Sequence, residues 1–237
     1  MKFNVKDLSI TALFIAIVCV ATLILKLDIP ATHGYFNVGD SMIYVAALLF
    51  GPVVGGLAGG IGASLADFIV GAPEYVLGTF LIKGFEGLIV GYLRDKVGLK
   101  AGLTAGWKTS AVVVGLGMGA ITYYLGSTYY IGIFGNALLE NLFWAVIAGL
   151  LAVFIIYVGV RREPRISWQV ISVLCGGVEM ILGYYLYETF VLPVIVPGWE
   201  IVAIIEVPFN IGQAVIGLII ALPIVRTVWR ALPSLKA

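Results

Sequence analysis

Eight apolar runs, near residues 8–27, 39–50, 53–71, 76–93, 109–127, 131–159, 168–191 and 200–225, occupy most of the 237-residue chain. A helix rises about 1.5 Å per residue, so about 20 apolar residues cross the roughly 30 Å hydrocarbon core of a bilayer. At that depth every backbone polar group must be satisfied within the protein, which leaves helices or a closed barrel; runs of this length read as helices. Charged residues are 11% of the chain and hydrophobic ones 61%, whereas a soluble domain carries about 25% charge. The expected fold is an all-α integral membrane protein with about eight membrane helices. A soluble catalytic domain and a nucleic-acid binder are excluded, since the net charge is +1 and no basic patch faces water. Cys19 and Cys175 both lie in apolar runs and read as packing residues rather than as a disulfide or metal framework. The N-terminus is basic, but Ile10–Leu27 is long for a signal peptide and no A-x-A site follows it, so a retained first span is expected.

One run is too short. The stretch 39–50 ends at Gly51-Pro52, well below the length that spans a bilayer. The basic residues decide how to count it. With eight elements, Lys2, Lys6, Arg94, Lys96, Lys100, Lys108, Arg161, Arg162, Arg165, Arg226, Arg230 and Lys236 share one side, Lys26 lies on the other, and Lys83 lies within a span. Under the positive-inside rule both termini are then cytoplasmic, in a plasma membrane. A single crossing over 39–71 would instead turn Arg94–Lys108 outward, so 39–50 and 53–71 are read as two elements.

Small residues describe the packing. Gly51, Gly55 and Gly59 are spaced by four, as are Gly56 and Gly60, and Ala12 and Ala16 repeat the spacing in the first run. Such stripes let helix backbones approach closely, and for the glycines packing inside the bundle is the plainer reading. An internal repeat is also suggested. Gly115…Tyr123-Tyr124-Leu125 is echoed by Gly176…Tyr184-Tyr185-Leu186, and Glu140…Phe143…Gly149 by Glu206…Phe209…Gly217.

Polar residues at membrane depth cost free energy unless they meet a partner or a cavity. In the last run Glu206, Asn210 and Gln213 fall at i, i+4, i+7, on one helix face, with Pro208 expected to free a backbone carbonyl among them. In the fourth run Thr79, Lys83 and Glu86 share a face, and Lys83 and Glu86 are spaced for an i, i+3 pair. Glu179 and Tyr184 add polar groups to the seventh. One buried lysine cannot neutralise Glu86, Glu140, Glu179 and Glu206, so some of these acids are expected to be protonated or to meet a ligand's donors. Asp67 reads as a helix-end cap and His33 as an ordinary loop histidine.

Catalytic constellations are missing: no H-E-x-x-H, no C-x-x-C, and no second histidine for a triad. "GLTAGWKT" at Gly102–Thr109 is not a phosphate loop, because tryptophan interrupts the Gly-Lys pair and no strand precedes it. The chain is not expected to be an enzyme or to carry a cofactor or metal; any energy source is a partner or an ion gradient.

Four ordered stretches resemble the S components of energy-coupling factor (ECF) transporters. They are "GYFNVGDSMIYVAALLFGPVVGGLAGGIGASLADFIVG" from Gly34, "TFLIKGFEGLIVGYL" from Thr79, "GGVEMILGYYLYE" from Gly176 and "IIEVPFNIGQAVIGLIIALPI" from Ile204. The resemblance is nearest to the branch associated with riboflavin, pyridoxine and hydroxymethylpyrimidine. It implies a six-helix core in a single membrane domain, 1–237, with 1–100 and 166–230 forming the core and 101–165 an inserted helical hairpin. It implies capture of a vitamin or precursor from outside and delivery through a transmembrane T component and two ATP-binding subunits. Small residues of the first helix then contact the T component, here Ala12 and Ala16. The substrate-binding set becomes Asn37, Thr79, Lys83, Glu86, Glu179, Tyr184, Glu206, Asn210 and Gln213. Gly34–Asp40 becomes a gating loop, with Asn37 reaching inward and Asp40 capping the short helix. Other readings predict different behaviour. A proton-coupled secondary transporter accumulates substrate alone, an intramembrane enzyme forms product, and a structural subunit leaves its polar faces without a ligand.

Overall fold

The computed structural model describes residues 5–29, 34–97, 107–129, 135–161, 164–198 and 203–236. The histidine His33 and the basic residues Lys2, Lys100 and Arg162 lie outside the described residues. Helix α1 (Val5–Ile24) leads into a two-stranded antiparallel ribbon, β1 (Leu27–Ile29) and β2 (Gly34–Phe36), in which Asp28 pairs with Tyr35. Helices α2 (Gly39–Phe50), α3 (Pro52–Val70), α4 (Pro73–Val97), α5 (Trp107–Tyr129), α6 (Ala137–Arg161) and α7 (Pro164–Leu186) follow. The chain then makes a π turn over Tyr187–Val191, a short α8 (Leu192–Ile195), a 3-10 turn over Ala203–Ile205, and α9 (Val207–Ala231). Among the described residues, seven helices are long and apolar enough to cross a membrane, and Gly39–Phe50 is the shorter apolar one.

Helix α2 explains the short run. Its 12 residues extend only about 18 Å, and from Gly39 to Leu49 every residue except Met42 is buried. Enclosed by protein on all sides, it needs no lipid face and no spanning length. It ends at Gly51, whose φ of 87° lies where side chains are disfavoured, and Pro52 starts α3 at a position where a missing N–H costs nothing. The glycine stripe packs internally. A Cβ on Gly55 would lie 2.6 Å from the Ala47 Cβ, and one on Gly59 would press on the Lys83 carbonyl. Helices α3 and α4 therefore meet backbone to backbone, and a Cβ on Gly87 would strike the Gly55 carbonyl.

Helices α5 and α6 form an antiparallel hairpin that packs chiefly on itself and leans on α7 and α9. Its interface is small-against-large, with Gly126 receiving the Trp144 ring and Gly119 facing the Ala148 carbonyl. Asn136 caps α6, its Oδ1 accepting the amides of Leu138 at 2.9 Å and Leu139 at 3.2 Å. Glu140 is buried in the first turn of α6.

Candidate functional site

At the ribbon end of the bundle, the start of α2, the ends of α1 and α3, and α4, α7 and α9 enclose one polar cavity, with β2 among its walls. Seven of the nine residues proposed from sequence line it: Asn37, Thr79, Lys83, Tyr184, Glu206, Asn210 and Gln213. Glu86 and Glu179 do not. Glu86 is fully buried beneath the cavity, where its Oε1 accepts the Tyr44 hydroxyl at 2.7 Å. Glu179 is half-buried on α7, within electrostatic reach of Lys83.

Lys83 organises the inner end. Its Nζ lies 2.5 Å from Asp40 Oδ1 and 3.1 Å from Glu86 Oε2, and 5.5 Å from the centre of the Tyr184 ring. The i, i+3 pairing expected from spacing is therefore present, but a second acid joins it from α2. Asp40 does not cap α2 as its position at the helix start suggested: Val38 is the cap residue and no side chain caps there. A surface anion at a helix N-terminus gains about 0.3–1 kcal/mol, whereas a buried lysine needs a full counter-charge. The lysine wins. Asn37 instead stabilises the turn into α2, its Oδ1 accepting the Gly39 amide at 2.8 Å.

Gln213 ties the loop to this ion cluster. Its Oε1 accepts the Asn37 backbone amide at 2.9 Å, and its Nε2 donates to Asp40 Oδ2 at 2.9 Å. Thr79 Oγ1 and the Tyr184 hydroxyl bond at 3.0 Å across α4 and α7. Pro208 proves to be at the first turn of α9 and frees no carbonyl inside it. Glu206 accordingly sits at the helix N-cap position rather than on its inner face, and its backbone carbonyl accepts the Asn210 amide at 2.9 Å.

The other end of the cavity was largely missed from sequence. Asp67 is no helix cap: its Oδ1 accepts the Tyr35 hydroxyl at 2.5 Å, and it lines the cavity with Tyr35 and Tyr75. Burial, reinforced by the Asp67 carboxylate, raises the Tyr35 hydroxyl above the usual tyrosine range, so it stays a donor. Gly34 closes the wall over Glu206. A Cβ there would lie 2.5 Å from Glu206 Oε1, so a larger residue would push the Glu206 carboxyl group aside. The signal available for Asp67 was a lone acid in a glycine–alanine helix, but its partner lies 32 residues away. The cavity volume is about 30 Å³, against about 300–1,000 Å³ for pockets that hold drug-sized molecules. Its walls are closed on one another.

Ala12 and Ala16 lie exposed on one face of α1, opposite the face that buries Phe14 and Val18. The chain is 43% identical over 108 residues to a Pyrococcus woesei protein described as an uncharacterized protein in the gap 3′ region, covering 46% of this chain and 72% of that one. It is 31% identical over 94 residues to the thiamine precursor transporter HmpT of Lactococcus lactis subsp. cremoris (strain MG1363), covering 39% of this chain and 57% of that one. The family model described as ECF-type riboflavin transporter, S component, matches residues 2–141, from α1 through α5 into the start of α6. The seven apolar helices make this a multi-pass membrane protein, and with most of its length matched the chain belongs to the family of ECF-type riboflavin transporter S components, which bind and carry substrate and are not enzymes.

Proposed function

We propose that this chain captures a small vitamin or vitamin precursor from outside the cell, a riboflavin-, pyridoxine- or hydroxymethylpyrimidine-like heterocycle, and hands it to an ATP-driven ECF transporter. The observation that carries the reading is convergence. Polar residues from distant stretches, Asn37, Lys83, Tyr184 and Gln213 among them, meet in one cavity inside the helix bundle. Aromatic rings beside a few oriented polar groups suit a planar heterocycle with hydroxyl or amino substituents. With both termini cytoplasmic, the ribbon end faces outward and β2 and the turn to α2 form the gate. A ring enters when that gate swings, because the gate is held by few bonds while the helices behind it are packed backbone to backbone. In this reading 1–100 and 166–230 form the capture core and 101–165 is an attached hairpin. Ala12 and Ala16 on α1 offer the small-residue surface against which a T component packs.

ATP coupling is tested in proteoliposomes. The chain alone is expected to bind radiolabelled vitamin without accumulating it; adding a T component and two ATP-binding subunits produces ATP-dependent accumulation. Uptake by the chain alone that collapses with the pH gradient contradicts this reading and makes the protein a secondary transporter.

A further inference from the structure

The two ends of the cavity differ in what they leave for a ligand. At the inner end the charges are spent on one another: Lys83 is shared by Asp40 and Glu86, and the second oxygen of Asp40 takes the Gln213 amide. Lys83 is the one basic side chain among the described residues of the lining. The opposite end is acidic. Asp67 and Glu206 line it, and Glu188 stands behind Tyr75, which donates its hydroxyl to Glu188 Oε1 at 3.4 Å. Glu188 is 1% exposed, and its carboxyl group lies within electrostatic reach of that of Glu206. Among the described residues, neither Asp67 Oδ2 nor Glu188 Oε2 has a hydrogen-bond donor.

The backbone is built to hold Glu188 there. Pro193 has no N–H to offer the carbonyl four residues earlier, and the chain widens into the π turn Tyr187–Val191 just before it. Tyr187 pins that turn, its hydroxyl donating to the Glu74 carbonyl and its ring seated on Gly78.

We propose that Glu188 is a positioning and specificity-determining residue. With Glu206 it forms a carboxyl pair that, together with Asp67, receives the amino group or protonated nitrogen of the ligand, so the substrate class is an amino-bearing, cationic or weakly basic heterocycle rather than an anionic or acceptor-only one. The proposal rests on the reading of this cavity as the vitamin site. Buried carboxylate oxygens without donors are costly, and a ligand N–H that meets them forms a charge-assisted bond. A phosphate ester placed against this end meets like charge.

The test is calorimetric titration of the full chain in detergent with riboflavin, 4-amino-5-hydroxymethyl-2-methylpyrimidine, and the matched pair pyridoxamine and pyridoxine, which differ by amine against hydroxyl. Pyridoxamine is expected to bind at least about tenfold more tightly than pyridoxine, as one charge-assisted bond allows. Glu188→Gln brings that ratio close to one by weakening pyridoxamine much more than pyridoxine, a split that general loosening of the fold does not produce. Asp67→Asn, which neutralises the other carboxylate with an oxygen lacking a donor, lowers the ratio as well and serves if Glu188→Gln fails to fold. Equal or tighter binding of pyridoxine to the native chain, or an unchanged ratio in the folded variants, overturns the proposal. Riboflavin binding without any preference for amines overturns this inference alone; no binding by any of the four overturns the vitamin-capture reading with it.

Discussion

Lys83→Met is expected to abolish ligand binding and to destabilise the protein by about 3–5 kcal/mol, the cost of leaving one side of a buried ion pair uncompensated. Asp40 and Glu86, 1% and 0% exposed, would then face each other without the cation between them. The chemistry also predicts a partial rescue. In Lys83→Met/Glu86→Gln one of the two stranded charges is gone, and stability returns part of the way while binding does not. Thermal unfolding in detergent, with binding measured alongside, reads both. If Lys83→Met unfolds within about 0.5 kcal/mol of the native chain, as surface changes do, the cluster is not the polar centre described above.

Gln213→Leu is expected to have the second-largest effect, and a different one. It removes the acceptor of the Asn37 amide and the donor to Asp40 Oδ2 in one step. Each buried group left unsatisfied costs about 1–3 kcal/mol. The Asn37 amide can turn to water only if the gate opens, so part of that cost becomes a shift towards the open loop. Hydrogen exchange over residues 34–39 is predicted to speed up about tenfold or more, with α3 and α4 unchanged. Faster exchange throughout the bundle, or none at the loop, contradicts the latch. Gln213→Glu separates the two bonds: it keeps an acceptor for Asn37 but sets a second carboxylate against Asp40.

Much of this was written in the sequence because membrane depth makes polar residues rare. Lys83, Thr79, Asn210 and Gln213 stood out against an apolar background, and helical spacing put each on an inward face. The break at Gly51-Pro52 and the side taken by the basic residues marked α2 as a separate element, and its near-complete burial shows why it is short. Local rules failed where a distant partner decided. Asp40 was assigned to its helix end because the dipole is visible in sequence and the lysine 43 residues away is not. Pro208 was read as a kink because the boundary of α9 was drawn several residues early. Glu188 and Tyr75 meet across 113 residues, through a π turn that no periodicity announces. Glu86 shares a helix face with Lys83 and Glu179 comes from the resemblance, but neither is among the residues that line the cavity.

The most direct measurement is mass spectrometry of small molecules extracted from the chain purified alone in mild detergent. A vitamin-class nitrogen heterocycle at close to one per chain, absent from Lys83→Met prepared in parallel, is the predicted result. No heterocycle in the extract, together with no binding by a panel of B vitamins and their precursors, would contradict the claim that this cavity is a capture site.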